Sequence, residues 1–227
     1  MREYELNLSL KELEKRTHKD YLVTKTMLKE DAPEYKELAD GDKKALKHLV
    51  KAAYILEKIN KQLDNCNNLP FEKYLNDEIK KGNKKAELTK ILYDAQKGVC
   101  ALDRESNMIE LAKGVHVTPG KGVYPEDLGK EEFQAIIIKM IKKGKIEEVR
   151  TILNQRSVVE RNGDELIGTD YVDKYSEDFS KMADELEEAS KVSTNKDFNE
   201  YLELQVKALR KADAMLDAYA DKKWAEL

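Results

Sequence analysis

Histidine, cysteine and clustered carboxylates are the side chains that most readily do chemistry, and in this chain they are scattered. The three histidines, His18, His48 and His116, stand far apart, and none has a second ligand-type residue at helical spacing, so no zinc helix of the His-Glu-x-x-His kind forms. Cys66 and Cys100 are too few and too widely separated for a disulfide framework or a metal knuckle, and neither lies in a nucleophile signature. They read as free thiols of a reducing compartment. "DRESNMIEL" at 103–111 has acidic residues but lacks the central glycine and the alternating oxygen ligands of a calcium loop. "TPGKG" at 118–122 has glycines and a lysine but not the spacing that wraps a phosphate, and no clear strand precedes it. Carboxylates are plentiful, yet at this density they pair with lysines along solvated helix faces and single out no acid–base couple. The expected catalytic set is therefore empty, as is the expected metal set. The residues left as ligand-contact candidates are His116, Tyr124 and Asp127, which sit in or beside the one long irregular stretch; the competing reading of Tyr-Pro-Glu-Asp is a helix entry.

The elements that must position those residues are mostly helices. Charged residues make up 38% of the 227 and hydrophobic ones 41%, with apolar positions recurring at helical spacing, which describes amphipathic helices with solvated outer faces. The 41 Lys and Arg against 45 Asp and Glu alternate along the chain without forming a basic stripe, so nucleic acid is not an expected partner. No apolar run is long enough for a transmembrane helix, the N-terminus lacks a signal-peptide pattern, and the expected location is the cytoplasm, with no membrane partner.

The spacing predicts a helix over 9–30, opened by a capping box of Ser9 and Glu12, and a strong helix through "LADGDKKALKHLVKAAYILEKINKQLDN" with Leu46, Leu49, Val50, Ala53, Leu56 and Ile59 or Gln62 on its apolar stripe. Helices over about 70–81 and 84–97 follow, separated by Gly82-Asn83. Residues 98–125 form an irregular connection with room for one or two short strands, dividing a helical subregion at 1–97 from another at 126–227 that together could also make one continuous domain. "PEDLGKEEFQAIIIKMIKKGK" and "IEEVRTILNQ" predict two more helices, and Asn162-Gly163 between apolar pairs predicts a β-hairpin over about 157–168. No glycine or proline follows Gly168, so residues 171–191 and 195–224 read as a closing pair of long antiparallel helices, with Thr194 or Asn195 as N-cap. Leu216, Ala220, Trp224 and Leu227 recur along one stripe, which predicts that the only tryptophan docks in the helical core. The expected fold is mainly α, a multi-helix domain with one short hairpin.

Four stretches in order, "LADGDKKALKHLVKAAYILEKI" at 38–59, "GVYPEDLGKEEF" at 122–133, "RSVVERNGDELIGTDYVDKYSEDF" at 156–179 and "DAYADKKWAEL" at 217–227, together resemble the N-terminal part of the dipeptidyl peptidase III family of zinc aminopeptidases. The most specific element is Tyr124, Pro125, Glu126, Asp127, Leu128, Glu131, Glu132 and Phe133. The resemblance spans the whole chain but only the front of a family member, whose zinc motif and downstream glutamate helix lie further on and have no counterpart here. It implies a helical framework beside a peptide cleft, without catalysis and with no cofactor in this chain, zinc belonging to the full-length family. Implied partners are the remaining catalytic portion of a longer protein and a peptide. The alternative is a stand-alone helical protein that binds a small apolar ligand or a partner protein, again without enzyme activity.

Overall fold

The computed structural model describes residues 3–22, 29–103, 105–211 and 213–227. Its elements in chain order are α1 (Leu10–Arg16), α2 (Pro33–Glu37), α3 (Asp40–Asp64), α4 (Asn68–Lys80), α5 (Lys84–Gln96), β1 (Cys100–Leu102), β2 (Met108–Glu110), α6 (Lys130–Lys142) and α7 (Ile146–Ile152). They continue as β3 (Ser157–Asn162), β4 (Glu165–Asp170), α8 (Tyr171–Lys174), α9 (Ser176–Val192), α10 (Lys196–Lys211) and α11 (Ala214–Ala225). The fold is mainly α, with two small two-stranded sheets, β1 with β2 and β3 with β4. Two compact units divide it, the first formed by the described residues within Met1–Thr26 and Asn60–Gly168, the second by those within Met27–Ile59 and Thr169–Leu227. Neither unit coincides with the sequence segments 1–97 or 126–227, because each is assembled from two separated pieces of chain and α3 runs from one into the other.

In the first unit, Ser9 and Glu12 make the expected capping box and start α1. The helix expected over 9–30 stops at Arg16, where Thr17 sends both its N–H and its hydroxyl to the Leu13 carbonyl. Every residue from Glu14 to Asp20 is polar, so a continuing helix would have nothing to bury; residues 23–28 of that expectation lie outside the described ones. α1, α4 and α5 close over a core of Leu13, Phe71, Leu75, Leu92, Tyr93, Val99 and Leu111. Tyr4 joins it edge-on to Phe71, with ring centroids 5.2 Å apart. The N-terminal segment is held by the far side of the β1–β2 hairpin: Leu6 bridges Ala112, the Asn7 N–H donates to the Leu111 carbonyl, and the Lys113 N–H donates to the Glu5 carbonyl. β1 and β2 pair antiparallel with Ala101 opposite Ile109.

A second cluster in this unit forms where α6 and α7 pack on the β3–β4 hairpin, burying Ile137, Met140, Val149, Ile152, Val159 and Leu166. The hairpin lies over the predicted stretch, but its two-residue turn is Gly163-Asp164, with Gly163 at φ 58° and Asn162 still in the first strand. Gly168 lets the second strand run against α7, since a Cβ there would stand 2.8 Å from the Ile152 nitrogen.

The second unit packs α3 with the C-terminal helices around Ala45, Ala189 and Leu202. The buried positions of α3 in this unit are Ala45, Ala52 and Ile59, a seven-residue spacing; Ile59 belongs to the expected stripe, whereas its Ala53 and Leu56 are exposed. Ala45 clusters with Ala189 and Leu202, and the larger Leu46, Leu49 and Val50 are half-buried. At the start of α3 the Asp42 carboxylate accepts from Ser193 Oγ at 2.9 Å, Thr194 N at 2.8 Å and Thr194 Oγ1 at 2.6 Å. Those hydrogen bonds, Thr194's first, hold its carboxyl below the usual aspartate range. Asn195 caps α10 by accepting from Phe198 N.

The expected closing pair is four helices, since Tyr175 separates α8 from α9 and a second break separates α10 from α11. Between α10 and α11 the Asp213 side chain accepts from the N–H groups of Met215 and Leu216, so a new helix starts with no glycine or proline to announce it. Arg210 near the end of α10 reaches Asp184 and Glu187 on α9, and Lys223 near the end of α11 reaches Asp197 and Glu200 at the start of α10, so successive helices run antiparallel. This break also relocates the tryptophan. Ala220 is fully buried, but Trp224 is 59% exposed, lying against Tyr201 at 5.2 Å between centroids and not in the core.

Candidate functional site

The sequence-selected residues sit on one loop, which is fastened to a polar corner at the end of α3. Helix α3 ends at Asp64, and "NCNN" at 65–68 turns the chain into α4. Asn65, Asn67 and Asn68 are all buried. Each amide uses its double capacity to give and accept. Asn65 Oδ1 accepts from the Asn67 N–H at 2.9 Å, while Asn65 Nδ2 donates to the His116 carbonyl at 3.0 Å. Asn67 accepts from Tyr4 Oη and donates to Glu126 Oε1 at 3.1 Å. Asn68 Nδ2 donates to the Lys61 carbonyl at 2.9 Å and its Oδ1 accepts from Val99 N at 2.8 Å. One turn of asparagines thus holds α3, the N-terminal segment, the start of β1 and the 113–128 loop together.

Glycine allows that loop to come close. The Gly122 N–H donates to the Leu63 carbonyl at 2.9 Å, and a Cβ on Gly122 would stand 1.8 Å from the Gln62 carbonyl oxygen. Lys121 adds an ion pair to Asp64 at 3.2 Å, and the Val159 N–H donates to the Val123 carbonyl.

The three candidate ligand residues face different partners. His116, two-thirds exposed, turns its Nδ1 to the Glu110 carboxylate. Tyr124 is half-buried at the edge of the second cluster, its ring edge-on to Phe133 at 5.5 Å. Asp127 is exposed and bound by Arg161, whose Nε donates to it at 3.0 and 3.2 Å while Nη1 and Nη2 donate to the two oxygens of Glu132 at 2.9 and 3.0 Å. The guanidinium holds both carboxyls below their ordinary range. The Tyr-Pro-Glu-Asp-Leu…Glu-Glu-Phe element therefore works as a clasp: Glu126 ties to Asn67, Asp127 and Glu132 to Arg161, and Leu128, Phe133 and Tyr124 to the apolar cluster.

The sequence reading missed Arg161 and the asparagine corner. Arg161 precedes a hairpin turn, and nothing local signals that its fork faces two carboxylates more than 25 residues away. The asparagines read as a turn, and their type tells nothing of burial.

These groups offer little for bond-making. The Cys100 thiol is pushed up to about 11, by burial first and then by the Glu110 and Asp64 charges, so it stays protonated and a poor nucleophile at neutral pH. His18 faces Asp20, His48 faces Glu185 and His116 faces Glu110, a separate carboxylate for each. No group of three or more His, Cys, Asp or Glu converges as a ligand set among the described residues, so they do not fit a catalytic zinc, which needs three protein donors and an open position. No helix among them is long and apolar enough to cross a membrane.

This helical architecture, with a clasped loop between small sheets, recurs within larger solved structures. Two solved structures share it: dipeptidyl peptidase III from Caldithrix abyssi, with a TM-score of 0.69 at 22% identity over 84% of this chain, and dipeptidyl-peptidase III from Corallococcus sp. strain EGB, with a TM-score of 0.71 at 18% identity over 95% of this chain. The chain spans about a third of each, 34% and 37% of their lengths. At these identities the likeness is one of fold. No family model matches the chain. No curated protein matches it either.

Proposed function

We propose that this chain is the non-catalytic helical portion of a dipeptidyl peptidase III-like zinc peptidase, the part that builds framework beside a peptide cleft. The observation that carries the reading is the pair of coverages: nearly the whole chain is accounted for by that fold, but only about a third of the fold by this chain. The order of the sequence stretches on which the family resemblance rests supports it as the N-terminal portion. On this reading the partner is the remaining catalytic portion, which supplies the zinc and its ligands, and the loop carrying His116, Tyr124 and Asp127 is framework. A cytoplasmic setting belongs to the same reading and is supported by two cysteines that make no disulfide.

The test is the native polypeptide. Its intact mass, measured from the source cells with an antibody against this chain, is expected to exceed 26.2 kDa by the mass of a zinc-binding portion. A native product of 26.2 kDa would remove the reading in favour of a stand-alone binding protein. The isolated chain, supplied with zinc, is expected to leave dipeptidyl arylamides intact; chelator-sensitive hydrolysis overturns the non-catalytic assignment.

A further inference from the structure

The first unit contains a cavity that the peptidase reading leaves unused. It lies between α1, the C-terminal half of α5 and the β1–β2 hairpin, and its volume is about 520 Å³, within the range of small-molecule sites. Its walls are Leu22, Leu92, Ala95, Ala101, Leu102 and Ile109, with the Tyr21 ring beside them. Of these, Ala95 and Leu102 are exposed among the described residues.

The charged groups lining the cavity are not equivalent. Glu12 is committed to the helix cap, accepting from the N–H and hydroxyl of Ser9. Asp103 is committed to its own turn, accepting from the backbone N–H groups of Glu105 and Asn107 and from Asn107 Nδ2. Lys15 lies over the Tyr21 ring at 5.7 Å, and it and Glu105 are exposed groups of opposite sign. Arg16 is the exception. It is half-buried, its charge is felt by both Glu12 and Asp103, and it makes no ion pair with any carboxylate among the described residues. A partly desolvated guanidinium beside apolar walls offers a planar two-pronged donor for an anion, while Glu12 Oε2 and both Asp103 oxygens accept from other groups.

We propose that this cavity binds an apolar monocarboxylate of small-molecule size, with the carboxylate on Arg16 and the hydrocarbon body against Leu22, Leu92, Ala101 and Ile109. The apolar body supplies most of the affinity and Arg16 the choice of headgroup, because an uncharged headgroup of equal length forms no charge-assisted pair. The inference does not depend on the peptidase reading, since it concerns a cavity lined by residues of this chain.

Decanoate and decanol are the probes, titrated below their aggregation limits into the whole chain by calorimetry, with amide shifts of Leu92, Ala101 and Ile109 as the site readout. One molecule of decanoate per chain is expected, bound at least tenfold more tightly than decanol. Arg16→Gln is expected to weaken decanoate about tenfold and leave decanol unchanged; Ala95→Trp, which fills the cavity from the exposed side, is expected to abolish both. Circular dichroism checks that each variant keeps its helix content, and the decanol arm keeps the Arg16 result readable through any small loss of stability. Equal affinity for the two probes, decanoate binding unaffected by Arg16→Gln, or shifts confined to residues outside the cavity each overturn the proposal.

Discussion

Replacing Asn68 by alanine tests whether the asparagine corner organises the first unit. Asn68 is fully buried, and its amide makes two hydrogen bonds, donating to the Lys61 carbonyl and accepting from Val99 N. The two partners are not equally harmed by truncation. The Lys61 carbonyl keeps a second donor, the Asn65 N–H at 3.2 Å. Val99 is itself fully buried, so its N–H loses its acceptor where water does not replace it. A buried donor stranded in this way costs about 1–3 kcal/mol, and the cavity left by the missing amide adds to that. Converted at about 1.4 kcal/mol per tenfold, amide exchange at Val99 should accelerate roughly 5- to 150-fold in Asn68→Ala. Amides of the second unit, such as Leu202, should keep their rates. Hydrogen exchange resolved by residue is the assay of choice, because urea unfolding followed by fluorescence reports only Trp224, which belongs to the other unit. Asn68→Asp keeps an acceptor for Val99 but loses the donor to Lys61 and buries a carboxyl, so it should be at least as destabilising as alanine. Unchanged protection at Val99 in Asn68→Ala would refute the reasoning, since it would mean that the buried N–H finds another acceptor at no cost.

Three further outcomes are expected. The Asp42 carboxyl is held low by Thr194 and Ser193, so its contribution to stability is present above the unfolded carboxylate range and disappears as pH falls through the lower folded value. Asp42→Ala should lose about 1–2 kcal/mol at pH 7 and show a shallower acid dependence, read by urea unfolding across pH. In Arg161→Gln the Asp127 and Glu132 carboxyls should titrate closer to their ordinary values, followed by carboxyl-carbon NMR; unmoved titrations would show that the ion pairs do not persist in solution. Trp224 should be readily quenched by acrylamide, and Trp224→Ala should cost less than about 1 kcal/mol, as expected of an exposed side chain.

Local signals with a single mechanical meaning were legible in the sequence. The Ser9–Glu12 box specifies one backbone geometry and forms as predicted, whereas the Asn162-Gly163 signal located the hairpin but not its turn: only Gly163 has positive φ, and Asn162 still belongs to the first strand. Periodicity proved blunter. It identified α3 as amphipathic and placed Ile59 on the inner face, but it also placed the exposed Ala53 and Leu56 there and omitted the buried Ala45 and Ala52. The start of α11 was illegible because Asp213 is one acid among many until its side chain is seen to accept from two N–H groups. The family resemblance found the fold and the Tyr124–Phe133 clasp as a unit, but not what the clasp grips. Arg161, Asn67 and Arg16 matter through partners distant in sequence, and residue type alone encodes no such pairing.

The discontinuity of the second unit has a consequence for biosynthesis. Its first piece, ending at Ile59, leaves the ribosome well before Thr169 opens the piece that completes the unit. At about 5–20 residues per second, α3 waits on the order of 5–20 s without Ala189 and Leu202, while the first unit has everything it needs as soon as Gly168 has emerged. The nascent chain therefore carries an unsatisfied amphipathic helix while all of the first unit's second piece is made. The exposed charges of that helix, Lys44, Lys47, Lys51 and Lys58 among them, keep it solvated during the wait.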